Sequence, residues 1–150
     1  MKKFQFSLDH VLGYKQQVLD NLQNEHAVLI QRVRQQEQVI AGLRDSYQAC
    51  NRELREAEIQ GITVAEAIRL ESGLRFWEKE IEKAVRLLEQ YEREAEEKRK
   101  QVVTARQDTA SLEKLKEKKH AAYCYEVQKG EELFIEELVA TQRVMAASAT

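Results

Sequence analysis

A chain of 150 residues with 24 Lys and Arg against 26 Asp and Glu is long enough for one domain. Its net charge of −2 gives no electrostatic bias towards DNA, RNA or an anionic bilayer. Charged residues make up 33%, aromatic residues only 7%, Gly occurs five times and Pro not at all, which excludes a sheet enzyme with a thick layered core and favours long helices with wide exposed faces.

No segment approaches the ~18 apolar residues needed to cross a bilayer. Met1-Lys2-Lys3 leads into Phe4-Gln5-Phe6-Ser7-Leu8-Asp9, too polar for a signal-peptide core, so a cytoplasmic location is expected. Cys50 and Cys124 are too few and too far apart for a disulfide framework and are read as reduced packing residues.

Phe6 before Ser7, with Val11 four residues on, has the pattern of a hydrophobic staple around an N-cap and starts a first helix near residue 7. From Leu8, alternating steps of four and three reach fifteen positions ending at Ala57, of which twelve are apolar; the exceptions are Lys15, His26 and Gln36. A seam of about seven heptads predicts a coiled-coil helix, and at ~1.5 Å per residue it is roughly 75 Å long, leaving no room for an enclosed pocket.

The run breaks at Gln60-Gly61-Ile62-Thr63-Val64-Ala65-Glu66. Gly61 suits the left-handed residue after a helix end, and Thr63 with Glu66 spells a capping box. The same walk from Leu70 to Leu112 meets only Lys98 and Thr109 as polar positions. The fold class expected is therefore all-α: a single antiparallel coiled-coil hairpin over residues 1–150, with helix about 7–58, turn about 59–63 and helix about 64–146.

In an antiparallel pair, facing residues have numbers with a nearly constant sum, and 124 aligns every seam. Leu54 then meets Leu70, Tyr47 meets Trp77 and Ile40 meets Ala84, while His26 falls opposite Lys98 and Lys15 opposite Thr109. Coincident polar layers act as register markers, because a slip of one heptad sets each against an apolar layer. Beyond Leu112 the strict walk lands on Lys116 and Lys119, and the apolar residues continue as Tyr123, Val127, Phe134, Leu138 and Met145. Residue 116 already faces Leu8, so the helix past about residue 118 is expected to overhang without a partner in the first helix.

Nucleophile elbows, phosphate-binding Gly loops, CxxC pairs and HExxH are missing from the chain. Glu117-Lys118-Lys119-His120 is a single ExxH with no second copy, and Glu94-Ala95-Glu96-Glu97 reads as a solvated face. No catalytic residue, metal site or cofactor is expected.

The opening Phe4-Gln5-Phe6-Ser7-Leu8-Asp9-His10-Val11-Leu12, the midpoint Gly61-Ile62-Thr63-Val64-Ala65-Glu66 and Ser111-Leu112-Glu113-Lys114-Leu115-Lys116-Glu117-Lys118 resemble the bacterial flagellar export protein FliJ family over nearly the whole length. The resemblance implies a non-enzymatic part of the flagellar type III export apparatus, shaped like the γ stalk of rotary ATP synthases. It would bind the export ATPase and its regulator, the export-gate membrane protein and export chaperones, and sit peripherally at the inner face of the membrane at the flagellar base. A monomer is expected when the protein is alone, and the balanced charge gives no reason to expect a nucleic-acid partner.

Two surfaces are candidates. An amphipathic helix with no partner for its apolar stripe must fray or bury it elsewhere, so Tyr123, Val127, Phe134 and Leu138, joined by Phe4 and Phe6, are assigned to the ATPase. Gly130 makes that segment marginal alone and suits folding on binding. Ile62, Val64, Ile68 and Phe76, mostly off the seam near the turn, are assigned to the gate; packing of the turn is the plainer account of them. A nucleic-acid arm would need a basic stripe that the balanced charge does not supply. A homo-oligomeric coiled-coil scaffold or adaptor is the alternative, since a lone two-helix seam buries little.

Overall fold

The computed structural model describes residues 2–149. Two long helices pack against each other: α1, Asp9–Gln60, and α2, Val64–Ser148. An irregular arm precedes α1, and no strand occurs among the described residues.

Backbone hydrogen bonds fix the ends. The Asp9 N–H donates to the Phe6 carbonyl at 3.1 Å and the Leu12 N–H to the Leu8 carbonyl at 2.9 Å. Leu8 thus supplies the first helical acceptor, and Ser7 lies in the turn before it instead of capping the helix. At the other end of α1, Gly61 has φ 95°, the left-handed conformation in which a Cβ would be strained. Thr63 caps α2: its Oγ1 accepts the Glu66 N–H at 3.2 Å and its carbonyl accepts the Ala67 N–H at 3.0 Å.

The chain divides into two compact units, one of residues up to Leu19 with those from Thr104 onward, the other Asp20–Val103. In the second, Ile40, Leu54, Leu70, Ala84, Ala95 and Val102 form the buried apolar seam. Its helix segments are antiparallel, because partners on α2 rise in number as those on α1 fall: Cys50 Sγ lies 3.6 Å from the Leu70 carbonyl, Gln36 Nε2 donates to the Ala84 carbonyl at 2.9 Å, and Lys98 pairs with Glu25 at 2.7 Å. The numbers of the first two pairs add to 120 and those of the last to 123, against the expected 124; a heptad slip would change the sum by seven. Lys98 and the half-buried His26 coexist because Glu25 draws the ammonium towards the edge of the seam.

The other unit buries Phe6, Leu12, Ala105 and Thr109. Lys15 pairs with Asp108 at 3.8 Å and Lys116 with Asp9 at 2.9 Å, again antiparallel. Lys15 therefore reaches the carboxylate beside Thr109, and the Thr109 hydroxyl donates to its own helix at the Ala105 carbonyl, 2.8 Å away, so burial leaves it no unmet donor.

Along α2, exposed acids and arginines pair within the helix. Arg86 meets Glu82 at 2.6 Å, and Arg99 meets Glu96 at 2.7 Å. The Arg99 hydrogen bond holds the Glu96 carboxyl below its ordinary value. No helix among the described residues is long and apolar enough to cross a membrane.

Candidate functional site

The candidate ATPase-facing residues separate into a packed cluster and an exposed stripe. The ring of Phe4 stands edge-on to His120 at 4.9 Å between centroids and tilted against Tyr123 at 5.5 Å. The Tyr123 hydroxyl donates to the Lys2 carbonyl at 2.6 Å. Beyond residue 118 the contact to α2 comes from the irregular arm and not from α1, and it reaches Tyr123. Phe6 is 7% exposed and is a core side chain of this unit. Val127 and Gly130 are half-buried.

Every residue from 131 to 149 is exposed. Phe134 is 61% and Leu138 48% exposed, and Ile135, Val139 and Met145 are exposed with them. The structure thus brings Phe4, Phe6 and Tyr123 into one unit's packing and leaves Phe134 and Leu138 open on the helix. Sequence reasoning in heptad steps missed Ile135 and Val139, because that walk finds a narrow seam; spacing of i, i+1, i+4 and i+5 at 3.6 residues per turn would have found the wider face.

Near the turn, Ile62 is half-buried, and Val64, Ile68 and Phe76 are exposed. Val64 and Ile68, four apart, share one helix face. Phe76 keeps an edge-to-face contact with Trp77, 5.2 Å between centroids. Ile59, at 86% the most exposed large apolar residue among the described residues, was missed because it stands alone between Glu58 and Gln60 in the last turn of α1.

Among the described residues no group of three or more His, Cys, Asp or Glu could hold a metal. His120 Nδ1 and Cys124 Sγ are 3.8 Å apart, two ligand types without a third. What the surface offers is apolar area on helices, which suits binding of protein partners.

Neither a curated protein nor a solved structure matches the chain. A match to the flagellar FliJ protein family runs over residues 4–147, from the packed Phe4 through both helices and the exposed stripe, and the chain therefore belongs to that family.

Proposed function

We propose that the chain is a non-enzymatic stalk of the flagellar type III export apparatus, binding the export ATPase ring through the C-terminal part of α2 and linking it to the export-gate membrane protein through the residues around Gly61. Family membership makes it a flagellar, export-related protein, and the observation that carries the finer reading is the run of exposed apolar residues from Phe134 to Met145. A stripe of this kind is stable in water only at the cost of its hydration, and burial of Phe134 and Leu138 in a partner groove contributes about 1.5–3 kcal/mol each before ordering costs. Val64, Ile68 and Phe76 offer a second apolar surface, in the other compact unit, for the gate. The ATPase regulator and export chaperones are further partners on this reading, which places the protein peripherally at the inner membrane face of the flagellar base.

Phe134→Ala with Leu138→Ala, in the full chain, should weaken binding to purified export ATPase from the same source and reduce stimulation of its ATP hydrolysis. Wild-type values for both, with helicity retained, would move the ring-facing element elsewhere. Phe76→Ser should weaken gate binding with little change in melting temperature, whereas a large loss of melting temperature would mark Phe76 as a packing residue of the turn region.

A further inference from the structure

We propose that the groove receiving the C-terminal part of α2 is apolar at its floor and rimmed by Lys and Arg of the partner protein; this rests on the reading of that segment as the ATPase-binding element. At ~100° per residue, Val127, Phe134, Leu138 and Met145 fall within about 40° of one another on the helix. Glu126 and Glu137 lie along one border of that stripe, Glu132 lies beyond Ile135 and Val139 on the other, and Glu131 interrupts the apolar face between Leu138 and Ile135. Glu136 projects from the back together with Lys129 and Arg143. Residues 126–143 hold Glu126, Glu131, Glu132, Glu136 and Glu137 against those two cations, a net charge of −3.

Pairing varies along α2, and among the described residues Glu89, Glu92 and Glu117 have no ion pair. Glu78, Glu82 and Glu96 each have an arginine three or four residues away in contact. Among the described residues, Glu126, Glu131, Glu136 and Glu137 have no such ion pair, Glu132 meets only the Gln128 amide at 3.4 Å, and Lys129 is turned over the Tyr125 ring at 5.7 Å. Carboxylates without internal cations on both borders of an exposed apolar stripe complement a groove with a cationic rim. The same charges disfavour the other occupants. Two copies of this segment would bring a net −3 against a net −3, and an amphipathic helix that binds anionic lipid carries Lys and Arg on its polar face.

The test uses the full chain and purified export ATPase, with binding followed as ionic strength rises from ~0.01 to ~1 M. Glu131→Gln, Glu132→Gln, Glu136→Gln and Glu137→Gln together keep helix propensity and remove four charges. The expected result is a loss of about tenfold or more in affinity at low salt, mostly in the association rate, with a flattened salt dependence. Phe134→Ala with Leu138→Ala should instead weaken binding at every salt concentration. Unchanged affinity and salt slope in the Gln variant, with binding still lost in the Ala variant, would overturn the cationic rim and leave the ATPase reading standing. No effect from either variant would overturn both. Concentration-dependent self-association in light scattering, abolished by the Ala variant, would make a second copy the occupant and also overturn the proposal.

Discussion

Gln36 looks like a defect in the heptad seam, yet it is buried and its amide donates to the Ala84 carbonyl across the interface. That carbonyl belongs to a helix, so the bond adds an acceptor use without filling a structural vacancy. Gln36→Leu should therefore leave thermal stability unchanged or raised by about 1 kcal/mol, while loosening register; Gln36→Ala should lower it by ~1–2 kcal/mol through lost packing. Thermal melts followed by circular dichroism separate the two outcomes, and a destabilised Leu variant would give the hydrogen bond the larger weight. Gly42 and Gly73 make a similar contrast. A Cβ at Gly42 meets nothing within 4 Å, whereas one at Gly73 meets Cys50 Sγ at 3.2 Å. Gly42→Ala should stabilise by about 1 kcal/mol, and Gly73→Ala should gain that amount only when combined with Cys50→Ala. The seam was legible because its 3.5-residue period repeats for many turns. Which atom each polar seam residue would reach was not, because a long side chain finds its partner by geometry that spacing does not encode, as with Lys98 to Glu25 and Lys15 to Asp108.

At the scale of the element, the ends of the helices divide in the same way. Gly61 and the Thr63 cap could be read from residue type alone, because few residues tolerate φ 95° and few side chains can accept a first-turn N–H. Thr63→Ala should cost about 1 kcal/mol, with α2 fraying at its start, measurable by hydrogen exchange at Ala65 and Glu66. The start of α1 was less legible: Ser7 is a good capping type, but the backbone bonds place the first acceptor at Leu8. The exposed pairs on α2 make a pH prediction with a definite sign. Glu96 is held below its ordinary value by Arg99, so what the pair contributes is present above the unfolded carboxylate range and lost as pH falls through the lowered value. Arg99→Gln should return the Glu96 titration, followed by NMR, to the ordinary range with little change in melting, since solvent screens both groups.

For the whole molecule, the division of labour along α2 can be tested by two truncations that differ in what they remove. A chain ending at Gly130 loses only the residues from 131 onward, which are exposed throughout, and keeps Tyr123 and His120 against Phe4. A chain ending at Lys119 also loses both aromatic contacts of Phe4 and the Tyr123 bond to the Lys2 carbonyl. The shorter chain should therefore melt several degrees below wild type and expose the arm to protease. The longer one should match wild type within about 0.5 kcal/mol, because deleting an exposed helix end changes stability little. Binding to the export ATPase should be lost in both. This pairing matters because the arm's contact with α2 was not legible in a heptad walk: the arm is irregular, has no period, and reaches Tyr123 through an aromatic ring and a main-chain carbonyl. Were the chain ending at Gly130 to melt as low as the one ending at Lys119, residues 131–149 would have a stabilising contact in solution. Their apolar stripe would then belong to the fold before it belongs to any partner.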